Sequence, residues 1–245
     1  MHSDFASGIL DCMDPPVNVP FRFVCATRES AQQFPERTAL GRSLSPYLRA
    51  PGVELKLFTD NRRGLPCLYN EAIREAAQHP AILIFVHDDV LLCDLFWAVH
   101  IATGLRHFDV LGLAGNVRRL PRQPSWYFID DSGTRDVPGN LSGMVAHGKG
   151  FPPASIAAYG PPGRQVKLLD GLLLAVHSQT LLAKRIEFDE RFDFHFYDMD
   201  FCRQAEARQL RLGTWPISVI HESDGNFDSP GWRAAYARYL EKWQS

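Results

Sequence analysis

The sequence predicts a layered α/β fold, with a mostly parallel central sheet flanked by helices, on three observations. Strand-length apolar segments alternate with segments of helical period in the order β-α-β-α-β-α-β between Phe21 and Gly115. One of them, Ala81-Ile82-Leu83-Ile84-Phe85-Val86, is apolar without alternation, as a strand covered on both faces must be. It stops abruptly at His87-Asp88-Asp89, and ligands in such sheets collect beyond the carboxyl ends of the strands.

Taken in order, Phe21 to Ala26 reads as the first strand. Pro35-Glu36 opens a helix with Leu40, Leu44, Tyr47 and Leu48 on one face, which Gly52 ends. Val53 to Phe58 is the second strand, tipped by Thr59-Asp60-Asn61. Gly64 and Pro66 introduce an amphipathic helix burying Leu65, Leu68, Tyr69, Ala72, Ile73 and Ala76. After the central strand, Asp94 reads as the N-cap of a helix reaching about His107, followed by a strand over Val110 to Gly115.

From 116 to 167 prolines and glycines dissolve the pattern, with strand-like pieces only near Trp126 to Ile129 and Gly143 to Ala146. An irregular insertion of this length is usually functional, and it is expected to cover the site. Order returns with a strand at Leu172 to Val176, a short helix from Ser178 to Lys184 and a helix from Asp198 to Leu210. Trp215 to Ile220 reads as the last strand, and Ser229-Pro230 opens a terminal helix carrying Trp232, Tyr236, Tyr239 and Trp243. The expected division is a loosely ordered arm over 1–20, one catalytic domain over 21–228 and a C-terminal helix over 229–245.

The chain has 245 residues, 45% hydrophobic and 22% charged, which is an ordinary globular composition. A net charge of -2 without a basic run argues against nucleic acid as the partner. Five scattered cysteines without CxxC spacing exclude an obvious zinc site or disulfide framework and favour a reducing compartment. No apolar run could span a bilayer and no secretory signal is read, so the expected location is cytoplasmic. The terminal aromatics read as a packing face or as a homo-oligomer contact.

Four groups of residues could carry chemistry: Thr27-Arg28, Asp60-Asn61, His87-Asp88-Asp89, and Tyr197-Asp198-Met199-Asp200 with His221. The first three follow strands, so a parallel sheet would bring them to one edge. Crowded carboxylates there repel one another unless a cation completes them, and hard divalent ions take oxygen ligands. Each residue has a blander reading. Asp60 could be a turn aspartate, Asp198 and Asp200 helix caps, His221 a structural histidine, and Arg203 an exposed helical arginine.

With Cys25-Ala26-Thr27-Arg28, Gly64-Leu65-Pro66-Cys67-Leu68-Tyr69-Asn70, Leu169-Asp170-Gly171, Phe188-Asp189-Glu190 and His221-Glu222-Ser223, these motifs resemble a family-two type glycosyltransferase of the GT-A fold. The order of the motifs from about Phe21 to Asp224 carries the resemblance, specifically to a bacterial "glycosyltransferase-like" subgroup. It implies a metal-dependent, inverting transfer of a sugar from a nucleoside-diphosphate sugar to an acceptor hydroxyl, in bacterial polysaccharide or glycosylated metabolite synthesis. His87-Asp88-Asp89 stands where the family has its DxD motif, so Asp89, with His221, would hold Mn2+ or Mg2+. Asp88 would lie with the donor contacts, and the role of His87 stays open. Asp60 would recognise the base, accepting from an imide N–H, with Thr27 and Arg28 along the nucleotide. Asp170-Gly171 would line donor sugar and acceptor, and Asp198 would be the catalytic base, with the helix cap left to Asp200. Tyr197 stands where the family has glutamate. The alternatives are a non-catalytic nucleotide-sugar-binding relative and, more distantly, a nucleotidyltransferase, whose glycine-rich loop after the first strand is missing.

Overall fold

The computed structural model describes residues 19–223 and 227–244. The arm expected over 1–20 lies almost wholly outside them. Strand β1 (Phe21–Ala26) is followed by two short helices, α1 (Phe34–Arg37) and α2 (Ala39–Leu44), and by strand β2 (Val53–Phe58). The single helix expected after Pro35 is therefore broken. Thr38 is extended at φ -106 and ψ 149, and its hydroxyl accepts from the Gly41 N–H to cap a new helix.

Helix α3 (Leu65–Glu75) leads into β3 (Ile82–Val86), every residue of which is buried. The turn His87-Asp88-Asp89 passes at once into β4 (Val90–Leu92), and α4 (Trp97–His107) follows. Asp94 does not occupy the cap position of α4, which falls to Phe96. Its buried carboxylate instead accepts from Phe96 N at 2.8 Å, His100 Nδ1 at 2.6 Å and Ser218 N at 3.3 Å, tying three segments together.

The strand expected over Val110 to Gly115 is two strands, β5 (Val110–Gly112) and β6 (Ala114–Asn116), which belong to different sheets. The segment expected to be irregular contains a hairpin, β7 (Leu141–His147) with β8 (Ser155–Gly160), and the short strands β9 (Gln165–Val166) and, just beyond it, β10 (Leu168–Leu169). Gly143, at φ +101, is required where β7 crosses β6, because a Cβ there would meet the Leu113 carbonyl oxygen at 2.0 Å. Around Trp126 to Ile129 only an isolated bridge, Phe128 to Arg135, forms.

Strand β11 (Leu173–His177), helix α5 (Ser178–Lys184) and helix α6 (Tyr197–Ala207) come next, α6 ending three residues before the expected Leu210. The last strand, expected over Trp215 to Ile220, is shorter and later, β13 (Val219–His221), and an unanticipated strand of the other sheet, β12 (Leu212–Thr214), precedes it across a stretch containing Pro216. Pro216 has no N–H to give to a ladder. Helix α7 (Pro230–Trp243) is capped by the Ser229 hydroxyl, which accepts from Trp232 N.

Two sheets result. The larger has the order β2-β1-β3-β11-β5-β12-β9, and the smaller β10-β6-β7-β13-β4 with β8 on β7. In the larger sheet β1, β2 and β3 are parallel, while β11 runs antiparallel between β3 and β5. Reversal of β11 sets its amino end beside the carboxyl end of β3, with Leu173 paired to Val86. The residues that precede β11 thus reach the same edge as those that follow β1, β2 and β3.

Asn70, buried on α3, fixes the segment that leads into α6. Its side chain accepts from Phe188 N at 2.7 Å and donates to Phe188 O at 2.8 Å. Asn70→Ala leaves both backbone groups buried without partners, and a loss of roughly 2 to 4 kcal/mol is expected in urea or guanidinium unfolding. Wild-type stability in that variant would show that the clamp does not hold the segment.

Candidate functional site

The carboxyl ends of β1 and β2 are laced together by backbone bonds. Thr27 N donates to Phe58 O at 2.9 Å, Asn61 N to Thr27 O at 2.9 Å and Asp60 N to Glu29 O at 3.0 Å. Asp60 takes a positive φ of 50, a conformation aspartate tolerates better than most residues. Above this edge lies a cleft of about 990 Å³ lined by Thr27, Arg28, Asp60, Asp88 and Asp89. The sequence reading missed Arg62 and Phe194, which also line it. Phe194 lies against the His87 ring with centroids 5.4 Å apart. Nothing in the sequence separates this half-exposed phenylalanine from Phe192 and Phe196, which are buried nearby.

The turn between β3 and β4 sits where the two sheets meet, and β13 pairs antiparallel with β4, so that His221 lies opposite Val90. His221 Nε2 is 3.3 Å from Asp89 Oδ2, and the ligand atoms of His87, Asp89 and His221 all lie within 4.8 Å of one another. His221 Nε2 is also 3.0 Å from the Ser223 hydroxyl. Among the described residues the other Asp89 oxygen, Oδ1, is buried without a hydrogen-bond partner. A buried carboxylate oxygen left in this state is costly unless a cation or donor completes it, so the donor set fits a divalent metal. Burial opposes ionisation of Asp89, yet the His221 hydrogen bond and the neighbouring imidazoles hold its carboxyl well below the usual range. Burial pushes the His87 imidazole down, which favours the neutral ring that a metal needs. Asp88 is shifted the other way, raised by burial and by Asp89.

Behind His87 stands the start of α6. His87 Nε2 is 2.8 Å from the Tyr197 hydroxyl, which donates to Gly171 O at 2.8 Å. Gly171 N in turn donates to Asp198 Oδ2 at 3.0 Å, while Met199 N donates to Oδ1 at 2.8 Å. Gly171 must lack a side chain here, since a Cβ would meet the Tyr197 hydroxyl at 2.4 Å and Asp198 Cβ at 2.9 Å. Asp170 accepts from Leu172 N at 3.1 Å, a turn contact, and its charge reaches Asp198. Burial first, and that charge second, push the Asp198 carboxyl up to about 7.

Asp200 does not cap α6. Its carboxylate is fully buried and is held by Trp243 Nε1 at 2.8 Å, Lys242 Nζ at 2.6 Å and Gln204 Nε2 at 2.8 Å. The cap residue is Phe196, left-handed at φ 65 and wedged among Trp232, Tyr236 and Tyr239. Arg203 lies over the rings of Trp243 and Tyr239, a packing role. The terminal helix thereby braces the start of α6, and its aromatic face is largely spent on that contact.

No protein-family model and no curated protein matches this sequence. Among solved structures, a viral protein, A197 from STIV, is 11% identical with a TM-score of 0.44, over 86% of this chain and 100% of that one. GalNAc-T7, in a crystal structure with UDP, GalNAc and Mn2+, is 10% identical with a TM-score of 0.51, over 91% of this chain. This chain spans 48% of that protein's length. The fold is therefore of the glycosyltransferase GT-A type. At such identity the likeness speaks for the fold alone.

The raised Asp198 carboxyl has a consequence for stability. Unfolded, the group titrates near 3.9, so between pH 4 and 7 the folded chain keeps a proton that the unfolded chain gives up. Its contribution is therefore full below pH 4 and is lost as pH rises through about 7. Urea midpoints measured from pH 4 to pH 8 should fall across that window more steeply for wild type than for Asp198→Asn. Equal slopes would mean that Asp198 has an ordinary pKa.

Proposed function

We propose that this chain is a metal-dependent glycosyltransferase, similar to family two, that moves a sugar from a nucleoside-diphosphate sugar to an acceptor hydroxyl with inversion at the anomeric carbon. One observation carries the proposal: on a GT-A-type sheet, His87, Asp89 and His221 converge beside a cleft of nucleotide-sugar size, with Asp89 Oδ1 unpartnered among the described residues. The UDP, GalNAc and Mn2+ in the GalNAc-T7 structure are the same classes of ligand.

In this reading Asp60 accepts from the imide of a uracil or thymine base, and Thr27, Arg28 and Asp88 line the nucleotide and its phosphates. Asp89 and His221, joined by His87, hold the ion. When bound, it would supply positive charge against the diphosphate that leaves. Asp198 takes the proton of the acceptor hydroxyl, at an oxygen whose second lone pair remains available beside its backbone bond. A carboxyl poised near 7 suits that work, because it is partly ionised at neutral pH and still basic. Asp170 and Gly171 hold Asp198 in place and border the space for sugar and acceptor. The domain is read as one catalytic unit over 21–228, with 116–167 on the acceptor side. The pathway is read as bacterial polysaccharide or glycosylated metabolite synthesis. The setting is read as reducing and cytoplasmic, from scattered cysteines without CxxC spacing.

A second reading, a nucleotide-sugar-binding protein without transfer activity, is favoured by the two backbone bonds that occupy Asp198. Slow, metal-dependent hydrolysis of a sugar nucleotide separates the two, since a binding protein gives none.

Uridine diphosphate with Mn2+ should raise the melting temperature of wild type, and Asp89→Ala should lose both that rise and turnover while melting normally without ligand. No rise with any nucleoside diphosphate would count against the proposal. Asp198→Asn should lower kcat about 10²- to 10⁴-fold with donor binding intact, the range expected for loss of a general base. For wild type, kcat/KM should climb as pH rises through about 7, as Asp198 ionises. A profile flat from pH 5 to 9 would remove Asp198 from that role.

A further inference from the structure

We infer that this chain forms a homodimer in which β8 pairs antiparallel with β8 of a second copy about a two-fold axis at Ala157, joining the two smaller sheets into one. Such a dimer is independent of the transferase reading. Its contact lies on the β7–β8 hairpin rather than on the aromatic residues of α7, which are largely spent on Phe196.

A strand at the edge of a sheet leaves a row of backbone N–H and C=O groups unpaired, and proteins blunt such edges by shortening or charging them. The other edges among the described residues follow that habit. Strands β9 and β10 have two residues each and β4 three, while β2, with six, carries Glu54 and Lys56. Strand β8 differs. It has six residues without a charge or a proline, and among the described residues it pairs with β7 alone. Tyr159 has no partner in the β7 ladder, so Ser155 to Ala158 form the regular part of the free edge.

One face of the hairpin is apolar and open. Ile156 and Ala158 stand opposite Ala146 and Met144 of β7 and share a face with them. Ile156 is 65% exposed and Met144 47%, and Phe151 in the turn of the hairpin is 79% exposed. These three border a groove of about 230 Å³ that Trp215 and Ile217 also line. Between 141 and 160 the only Lys, Arg, Asp or Glu is Lys149, and its Nζ donates to Glu222 O at 3.0 Å. Beyond the regular stretch, the Tyr159 ring packs against Trp126 and Tyr127.

A lipid surface would cover the apolar side chains but leave the backbone row without partners, whereas another strand satisfies both. A second β8 fits in size and in charge. With the axis at Ala157, Ile156 lies opposite the partner's Ala158, and Ala158 opposite the partner's Ile156. Across four strands Met144, Ala158, the partner's Ile156 and the partner's Ala146 then alternate large and small. On the other face Ala157 meets its own mate, so two small side chains sit at the axis. No like charges are opposed along the strand, and a net charge of -2 leaves little repulsion between copies. Each copy has one such edge, so the assembly closes at two.

The test is sedimentation velocity on the full-length protein at about 100 µM, with two variants beside wild type. Wild type should sediment as a dimer. Ile156→Lys should weaken self-association at least about 100-fold, because the two-fold axis makes a tenfold cost count twice. Its circular dichroism should match wild type, since the side chain is mostly exposed. Ala157→Cys should give a disulfide-linked dimer on mild oxidation, because opposed Cα atoms of an antiparallel pair stand about 4.5 to 5.5 Å apart, within disulfide reach. Wild type and Ser155→Cys, treated alike, should not. If Ile156→Lys fails to fold, the cross-link decides the question. Wild type that stays monomeric overturns the inference, and its co-sedimentation with phosphatidylglycerol vesicles would then give the face to a lipid surface. A dimer undiminished in Ile156→Lys, or Ala157→Cys that cross-links no better than Ser155→Cys, also overturns it. Each of these outcomes leaves the transferase reading untouched.

Discussion

The reversed strand β11 is the constraint on which the site depends. Had it run parallel to β3, the residues before it would lie at the opposite edge of the sheet, some 15 Å away for five residues of strand. Because it runs antiparallel, His87 N can donate to Leu172 O at 3.2 Å, and Asp170 and Gly171 arrive behind the turn that carries Asp89. The peptide of Gly171 then serves two neighbours at once. Its carbonyl accepts from Tyr197 and its N–H donates to Asp198. Through this single unit His87 and the buried aspartate of α6 are held at a fixed relation to each other.

The second sheet supplies what the first cannot. β3 passes into β4 through three residues, and β4 pairs with β13, so the turn is pinned between sheets and His221 is delivered to Asp89. Glu222 N donates to Asp89 O at 2.9 Å, which fixes the backbone of the turn from the far side. The C-terminal helix completes the bracing. Its Tyr236 and Tyr239 rings hold Phe196 in a left-handed conformation that a phenylalanine adopts only under constraint. That conformation directs the first turn of α6 toward Gly171.

Elements whose signal is local were legible in the sequence. The apolar periods of β1 and β2 give their observed bounds, and the Ser229-Pro230 start of α7 carries its own cap. The errors share a physical cause, which is that their partners are distant in the chain. Val110 to Gly115 reads as one apolar strand, and only its contact with Leu168 and Leu169 reveals that the chain changes sheets at Leu113. Asp200 has the residue type and position of a first-turn acid, but its carboxylate answers to Lys242 and Trp243, more than forty residues on. The cleft residues Thr27, Arg28, Asp60, Asp88 and Asp89 were legible together because each follows a strand of one sheet. The bond between His87 and Tyr197 spans 110 residues and was not legible.

Two aspartates of the site have been pushed in opposite directions, and the cause lies in what faces each. Both are partly withdrawn from water, which alone would raise both. Asp89 faces His221 and His87, whose hydrogen bond and charge outweigh burial, so it stays ionised. Asp198 faces Asp170 instead, and two backbone N–H groups do not outweigh burial and a like charge, so it holds its proton until about pH 7. Carboxyls separated in this way suit different work, one a permanent anion and the other a group that can gain and lose a proton near neutrality. Exchanging their surroundings would exchange their roles. The shared residue type is thus less informative than the fold, which sets one aspartate against imidazoles and the other against an acid.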